Sequence, residues 1–394
     1  MSEKPEFDPA SALPHKNAFF PIRGVYFNAG VQHPVSRASA AAAEEYIRYK
    51  GFHTDMDYDP AAIRKNVIDK FAKLVNAEPD ELTLIGSTTA GENLIIQALD
   101  LAAKGGRVVT DDLHYFGSYQ IYGELKKQGV EVITIRNTDG DIDYKAYEKA
   151  INNQTSLVAV SSVSTFNGHQ HDLKRVCDIA HSCGALVYAD AIHHIGATPF
   201  DVKKSGVDFM SCGTFKWLMG DQGSGFLYVR RDKLGSLKRP VYGKRQVRNL
   251  ITHVFPGDEI TTDDNIYEYE LAENTEGYFS IWSEPRIVIA QLDKSLGYLL
   301  DVGVDRIVAY RQPMLSFLRM EIEALGYKCL TPRRMITPIL TFECADAAKR
   351  LGPLFLEADI KASLYKGHFR IALSVYNDMA DAEYFVKTLA KLKD

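Results

Sequence analysis

The chain has 394 residues, and its 46 lysines and arginines against 51 aspartates and glutamates give a net charge of −5. This weak acidity predicts no nucleic-acid partner, because such proteins carry a basic face. The chain holds no apolar run of the roughly 18 residues that a membrane helix needs, and its polar N-terminus is unlike a secretory signal. The five cysteines form no CxxC pair, which is typical of reduced thiols in a cytoplasmic enzyme. We therefore expect a cytoplasmic protein with no membrane partner, and its length favours two domains.

Short apolar runs alternate with longer amphipathic segments up to residue 230. The apolar runs predict buried strands at 82–86, 107–110, 131–135, 156–163, 185–190, 208–212 and 225–230. The segments between them predict helices at 88–103, 118–128, 143–152 and 173–182. Strands rich in Val, Ile and Leu that alternate with helices are typical of a parallel sheet covered on both faces. We expect an α/β large domain with a mostly parallel seven-stranded sheet covered by helices.

The pattern changes after residue 230, and the C-terminal part predicts a smaller α+β domain. Its expected helices are 283–302, 305–325, 346–358 and 380–392, and its expected strands are 336–343, 359–364 and 369–374. The chain therefore divides into an N-terminal segment at 1–20, a large domain at 21–275 and a small C-terminal domain at 276–394.

An aspartate and a lysine follow two of the predicted strands. Asp190 ends one strand, and Lys216 comes shortly after the next strand, which ends at Cys212. Parallel strands bring their carboxyl ends to one edge of the sheet, where ligands bind, so the two side chains can converge. Pyridoxal-phosphate chemistry needs this pair, because the lysine forms a Schiff base and the carboxylate keeps the pyridine nitrogen protonated. Taken alone, each residue is as well explained as a surface lysine or a helix-capping aspartate.

The segment GSTTAGENLIIQAL at 86–99 is a candidate anion site. Small hydroxyl residues follow a strand and open a helix, whose free N–H groups and dipole attract negative charge. Thr88 and Thr89 could hold a phosphate group there. An ordinary helix N-cap explains the same residues.

Seven motifs, in this order, resemble those of the class V aminotransferase family of fold-type I pyridoxal-phosphate enzymes. They are YFNAG (26–30), STTAGEN (87–93), HYF (114–116), SVSTFNG (162–168), DAIHH (190–194), GTFKW (213–217) and FRIALSVYN (369–377). That family includes cysteine desulfurases, selenocysteine lyase, kynureninase and isopenicillin N epimerase-like proteins. The resemblance spans about residues 20–394, and it implies pyridoxal 5′-phosphate as cofactor, an amino-acid substrate and a homodimer.

The resemblance also implies a role for each matching residue. Lys216 forms the aldimine and carries the proton at the substrate α-carbon, and Asp190 pairs with the pyridinium nitrogen. Arg370 grips the substrate α-carboxylate with a bidentate fork, and Asn28 lines the substrate entrance. The other implied cofactor contacts are Thr88, Thr89 and Thr214 at the phosphate, Thr165 and His193 near the phenolic oxygen, and Tyr115, with His114 and Phe116 as rivals, stacked on the ring.

The chain departs from the family pattern at three places. Phe215 precedes the lysine where many relatives carry His. Ala272-Glu273-Asn274 stands where relatives have a Gly-Thr that reaches the partner subunit's phosphate, so Asn274 or Thr275 would have to take that role. The stretch KASLYKGHF at 361–369 holds no cysteine, although persulfide-forming desulfurases carry their nucleophilic thiol there. Cys344 and Cys212 are better explained as core residues.

Without that thiol, we expect Cα carbanion chemistry that ends in a lyase reaction (C–S or another β-elimination) or an epimerisation, and not a persulfide-forming desulfurase. A class V aminotransferase is one alternative. A metal-dependent hydrolase built on Asp190 with His169, His171, His193 and His194 is another, although their spacing matches no strong metal motif, and we expect no metal. A non-catalytic binding relative is the third.

Overall fold

A computed structural model describes residues 8, 10–52, 57–248, 269–281 and 283–392. Within these residues the strands are β1 Val25–Tyr26, β2 Leu82–Ile85, β3 Arg107–Asp111, β4 Glu131–Ile135, β5 Thr155–Ser161, β6 Leu186–Asp190, β7 Phe209–Gly213, β8 Gly225–Val229, β9 Ile339–Glu343, β10 Ile360–Lys361, β11 Ser363–Leu364 and β12 His368–Ala372. The α-helices are α1 Arg37–Phe52, α2 Pro60–Val75, α3 Thr88–Leu99, α4 Leu101–Lys104, α5 Ser118–Lys127, α6 Tyr144–Ala150, α7 Leu173–Ser182, α8 Val202–Ser205, α9 Arg231–Leu234, α10 Thr275–Phe279, α11 Arg286–Val302, α12 Val304–Ala324, α13 Ala347–Glu357 and α14 Met379–Ala390.

A seven-stranded sheet lies at the centre of the described structure, in the order β2-β8-β7-β6-β5-β3-β4. Strands β7, β6, β5, β3 and β4 pair in parallel, and β8 runs antiparallel to both of its neighbours. The predicted mostly parallel seven-stranded sheet is therefore confirmed. Asp190 pairs in register with Ser161 on one side and Ser211 on the other, so the carboxyl ends of three strands meet at one edge.

Alternate residues along the strands explain the two layers of helices, because successive side chains of a strand point to opposite faces. On β5, Val158 and Val160 join an apolar core that also holds residues of α2, α7 and α11. Leu157 and Ala159 join a second core with residues of α3 and α5. Because helices cover both faces of the sheet, most strand positions are apolar. These strands therefore appear in the sequence as nearly continuous apolar runs.

The N-terminus of helix α3 lies at the carboxyl end of β7, where Thr88 Oγ1 accepts the Gly213 N–H. Its N-cap Ser87 accepts a hydrogen bond from the Ala90 N–H, which replaces an absent helical partner. Gly91 allows the close approach, because a Cβ there would lie 2.2 Å from Ser211 Oγ. The predicted helix at 88–103 is interrupted at Asp100, whose left-handed φ of 57° ends α3 before α4 begins.

A second, separate core lies around the antiparallel sheet β11-β12-β9 and helices α12 to α14. The predicted strand at 359–364 is two short strands in the structure, because β10 pairs with β1 while β11 pairs with β12. The N-terminal Phe27 packs into this core. Helix α11 packs on α1 and α2 instead. The division at residue 275 stays a prediction.

No helix in the described ranges is both long enough and apolar enough to span a membrane.

Candidate functional site

Lys216 lies in the turn between β7 and β8, at the carboxyl edge of the sheet. The Thr214 N–H donates to Ser224 O (3.2 Å) and the Gly220 N–H to Thr214 O (2.9 Å), which closes the turn. The lysine side chain is buried. Burial is the largest cause that lowers the Lys216 pKa to about 8; Asp190 opposes the shift and Arg370 adds to it. This amine therefore loses its proton far more easily than an ordinary lysine.

His193 contacts the lysine directly, since its Nε2 lies 2.8 Å from Lys216 Nζ. The Trp217 Nε1–H donates to His193 Nδ1 (3.3 Å), and an indole nitrogen can only donate. His193 Nδ1 is therefore unprotonated. Burial, with smaller contributions from Lys216 and Arg370, holds the His193 pKa well below its ordinary value, so the ring is neutral and its proton is on Nε2.

Asp190 ends β6 close to the lysine and is almost fully buried. Its Oδ1 accepts the Ile192 N–H at 3.0 Å. Burial raises the Asp190 pKa to about 6, although the charge of His114 and the Ile192 N–H lower it. A buried carboxylate with one such hydrogen bond suits a cationic ligand, because it gains most from a charged partner.

The three threonines predicted at the phosphate are in different situations. Thr88 Oγ1 accepts the Gly213 N–H at 2.9 Å and so joins α3 to β7. The Thr214 hydroxyl donates towards the main-chain oxygens of Asp221 (2.5 Å) and Ser224 (3.2 Å). Thr89, in the first turn of α3, is exposed. Of the three threonines, Thr89 is therefore the one whose hydroxyl suits an anion, together with the N–H groups at the start of α3.

Arg370 lies on β12, as predicted, and its buried guanidinium reaches across to the large sheet. Nη1 donates to Thr165 O (2.6 Å) and Thr165 Oγ1 (2.9 Å), and Nη2 donates to Ser363 Oγ (3.1 Å). Ser363 in turn donates to Asn28 Oδ1 at 2.6 Å. Thr165 Oγ1 also lies 3.0 Å from His193 Nε2. The structure thus joins Lys216, His193, Thr165, Arg370 and Asn28 in one chain of contacts.

Asn28 also lines a cavity of about 660 Å³ on the outer side of this chain of contacts. Gln32, Asp221 and Lys361 are among its other walls. The cavity has room for a small molecule, and Asn28 connects it through Ser363 to Arg370.

The HYF motif places its three rings differently. His114 is buried; its Nε2 lies 3.1 Å from Glu92 Oε1 and its Nδ1 lies 2.8 Å from Ser161 Oγ. The Tyr115 ring packs against Phe116 (4.6 Å between centroids), and Phe116 is 64% exposed. The His114 ring contacts Ser161, which pairs in register with Asp190, so its position suits the stacking role better than that of Tyr115.

Asn274 makes none of these contacts in the described structure. Its side chain caps α10 by accepting the Gly277 N–H at 2.8 Å. The neighbouring Glu273 forms an ion pair with Arg239 at 2.6 Å, so its charge is compensated within the chain.

Sequence analysis missed four residues that hold the site together, namely Glu92, Ser161, Trp217 and Ser363. Glu92 had a recognisable signal. It stands three residues before Ile95 and four before Ile96, on a helix with a predicted buried face, and a carboxylate there requires partners.

The four histidines of the metal alternative do not converge on Asp190. His171 faces Asp111 and His169 faces Asp141, each at 3.2 Å, and His194 Nε2 lies 3.0 Å from Pro199 O. Over the described ranges, no three His, Cys, Asp or Glu side chains are arranged to hold a metal ion.

The residues present fit a pyridine ring that carries a phosphate. They provide a buried amine of lowered pKa, a buried carboxylate for a cationic nitrogen, and a helix N-terminus for an anion. An amine, a carboxylate and an anion site at one sheet edge match the three polar ends of pyridoxal phosphate.

The Aminotransferase class-V family matches residues 25–385. The chain belongs to this family. Its enzymes use pyridoxal phosphate, which is therefore the cofactor of this chain. The uncharacterized aminotransferase YcbU of Bacillus subtilis is 33% identical over 206 residues, which are 52% of this chain and 54% of that protein. A probable cysteine desulfurase of Methanothermobacter thermautotrophicus is 26% identical over 326 residues, or 81% of this chain and 77% of that protein.

Solved structures with this fold include a cysteine desulfurase from Thermococcus onnurineus, with a TM-score of 0.83 and 20% identity over 97% of this chain and 98% of that one. The cystine C–S lyase C-DES, in complex with cysteine persulfide, has a TM-score of 0.81 and 17% identity over 93% of this chain and 97% of that one. At these identities the likeness shows the fold alone, and the α/β architecture of class V enzymes is confirmed.

Proposed function

We propose that this class V enzyme acts on an α-amino acid as a lyase, by C–S cleavage or another β-elimination, or as an epimerase. Pyridoxal phosphate, when bound, supplies the electron sink for a carbanion at the substrate α-carbon. Lys216 is the residue that holds the cofactor and moves the α-proton, and Asp190 binds the pyridine nitrogen. The observation that carries the proposal is the contact chain from Lys216 through His193 and Thr165 to Arg370.

The position of Arg370 supports an α-amino acid as substrate. Its guanidinium is fixed by Thr165 and Ser363 and shares Thr165 with the ring that contacts the lysine. A carboxylate held at such a fork would be oriented relative to the amine of Lys216, and the planar, delocalised charge of arginine suits a carboxylate better than lysine does. Asn28, which is linked to Arg370 through Ser363, also lines a cavity of about 660 Å³.

The cysteines support a reaction that does not store sulfur on the enzyme. The loop that precedes Arg370 contains no cysteine. Cys212, the cysteine whose charge would act on Lys216, is fully buried, and burial raises its pKa well above the ordinary value. Cys344 is buried at the end of β9, and burial raises its pKa too. A thiolate is the nucleophilic form of cysteine, so neither side chain suits the persulfide role.

An aminotransferase is the alternative within the family, since the first relative carries that name. The two outcomes use the same Lys216, Asp190 and Arg370, and they differ in where the proton is returned. We place the protein in the cytoplasm, in keeping with five unpaired cysteines.

We further propose a homodimer in which a second copy completes the phosphate site near Asn274. Three large side chains between β8 and α11 are exposed to solvent. The exposed fractions are 69% for Tyr242, 54% for Tyr269 and 48% for Ile281. Gly243, which follows Tyr242, lies against Ile281, and a contiguous apolar patch marks an interaction surface. Light scattering should give twice the chain mass, and a fully active monomer would contradict this part of the proposal.

The deciding experiment incubates the pyridoxal-phosphate-loaded enzyme with single L- and D-amino acids in deuterated water. A lyase releases ammonia and a keto acid, with sulfide where the substrate contains sulfur, and an epimerase interconverts the enantiomers with deuterium at the α-carbon. An aminotransferase yields a keto acid only in proportion to an amino acceptor. Turnover that requires an acceptor would overturn the proposal in favour of transamination.

A cysteine series tests the desulfurase exclusion separately. Cys212→Ser, Cys344→Ser and the other three Cys→Ser variants should keep sulfide release, because no enzyme thiol takes part. A variant that folds and binds cofactor but loses sulfide release would identify a persulfide-forming cysteine and contradict the proposal.

A further inference from the structure

Glu92 is a fully buried carboxylate on α3 that belongs to none of the family motif roles described above. Ser118 donates to its Oε2 at 2.6 Å, and Tyr122 donates to its Oε1. His114 Nε2 lies 3.1 Å from the same Oε1. All three partners can donate, so the arrangement suits an ionised carboxylate, which only accepts. Burial alone would raise the Glu92 pKa, but these partners together lower it below its ordinary value.

His114 is bound at both nitrogens. Nε2 carries a proton, because it faces the ionised Glu92. Ser161 Oγ lies 2.8 Å from Nδ1 and can accept from it or donate to it. Burial disfavours the imidazolium, but Glu92 and the charges of Asp190 and Asp111 outweigh this effect and raise the His114 pKa. Because neither nitrogen is free to approach a substrate, the ring is better suited to act as a fixed charge than as a proton donor.

Titratable groups on α5, β6 and β3 also lie around the His114 ring. Tyr122 on α5 lies 6.0 Å from His114 between ring centroids, and burial, reinforced by Glu92, keeps its pKa well above the ordinary value, so it is neutral. The buried Tyr188 on β6 is neutral for the same reasons. Asp111 on β3 faces His171 at 3.2 Å. Glu92 therefore supplies the carboxylate that touches the His114 ring itself.

We propose that Glu92 is a positioning residue that fixes His114 as an imidazolium beside Asp190, so that the buried Asp190 stays ionised and accepts a protonated pyridine nitrogen. His114 Nδ1 lies 2.8 Å from Ser161 Oγ, and Ser161 pairs in register with Asp190, so the ring lies near the end of β6, where its charge opposes the desolvation of Asp190. The three groups form an alternating series of negative, positive and negative charge, which lowers the cost of burying each one. This inference rests on the proposed cofactor role of Asp190.

The test measures the His114 pKa in the cofactor-free protein by NMR of isotope-labelled histidine, assigned with His114→Gln. Glu92→Gln keeps the size of the side chain and removes its charge, and it should lower the His114 pKa by about 1–3 units. Tyr122→Phe is the matched control, because it removes one hydrogen bond from Glu92 but leaves its charge, and it should shift the pKa far less. An unchanged His114 pKa in folded Glu92→Gln would overturn the proposal.

The affinity for pyridoxal phosphate is the second measurement, and it does not require the enzyme to turn over a substrate. Glu92→Gln and His114→Gln should each weaken pyridoxal-phosphate binding by at least about tenfold, with the loss largest below pH 7, where Asp190 takes up a proton. A lower His114 pKa with unchanged affinity at every pH would overturn the link to Asp190. If the wild-type protein does not bind the cofactor, the proposed function fails, whereas the NMR result still decides whether Glu92 controls His114.

Discussion

Lys216 Nζ and His193 Nε2 lie 2.8 Å apart, and Trp217 fixes which of them carries the shared proton. Because the indole N–H occupies His193 Nδ1, the ring proton is on Nε2, where both the lysine amine and Thr165 Oγ1 (3.0 Å) can accept it. A proton on this nitrogen is unfavourable beside the ammonium form of Lys216 and so favours the neutral amine, which is the nucleophilic form. Burial of Lys216 acts in the same direction by lowering its pKa to about 8.

The pH dependence of cofactor loading follows from this pKa. The rate at which apoenzyme combines with pyridoxal phosphate should rise with pH and level off above an apparent pKa near 8. At pH 7 a pKa of 8 leaves roughly 300-fold more neutral amine than an ordinary lysine has. Stopped-flow absorbance measures the rate. A profile that keeps rising to pH 10 would show an unperturbed lysine.

Two substitutions of His193 should show whether its hydrogen bond or its imidazole ring determines the rate of cofactor loading. His193→Gln keeps an N–H donor and should retain most of the loading rate at pH 7, whereas His193→Leu should slow loading roughly tenfold by loss of about one hydrogen bond. His194→Gln is the matched control, since His194 contacts Pro199 O and Gln170 instead of the lysine. Equal effects at 193 and 194 would refute a specific role for the lysine contact.

Arg370→Ala should weaken amino-acid binding by roughly 30- to several-thousand-fold, because loss of one side of a charge-paired contact costs about 2–5 kcal/mol. Arg370→Lys should also bind poorly, since a point charge does not replace the fork. Arg319→Ala, whose side chain donates to Thr331 O away from the site, is the control. Spectral titration with amino acids and with the corresponding decarboxylated amines measures the effect. Amines that bind as well as acids would contradict the assigned role.

Stability should fall in acid because His33 is buried and neutral. Its Nδ1 faces Pro34 O at 2.9 Å and its Nε2 faces Ser374 Oγ at 2.7 Å. Burial lowers its pKa to about 4. Between pH 6.5 and 4 the unfolded chain takes up a proton that the folded chain does not, so the free energy of unfolding decreases as pH falls.

From pH 7 to pH 5 this effect amounts to about 2 kcal/mol. His33→Gln should remove that share of the acid sensitivity. Urea unfolding at the two pH values, at one fixed protein concentration, measures it. An equal pH dependence in wild type and variant would show that His33 is not the group responsible.

Much of the fold was predictable because the buried strands have strong local signals. Each of the seven strands of the large sheet lies within two residues of its predicted bounds, since each is a run of apolar side chains. Helix α1 was not predicted, because its Ala-rich sequence has little apolar periodicity. Helix α2 was also missed, although Asp59 before Pro60 is an N-cap signal, and Asp59 does accept from the Ala61 and Ala62 N–H groups.

The site was predictable where one motif carried the chemistry and not where distant residues meet. Lys216 and Asp190 could be named from the strands that they follow. The preference for His114 over Tyr115 depends on the contact of its ring with Ser161, 47 positions away at the end of β5. The contact of Arg370 with Thr165 spans 205 positions, and no local pattern reports such a distance. The motifs identified the residues, and the fold determined which of them touch.

The central claim, that Lys216 holds the cofactor, is tested most directly by reduction with borohydride. Treatment of the loaded enzyme should fix one pyridoxyl group per chain, and peptide mass spectrometry should locate it on Lys216. Lys216→Ala should fold and show no such adduct. A pyridoxyl group on another lysine of the wild type, or an adduct of equal yield in Lys216→Ala, would contradict the account.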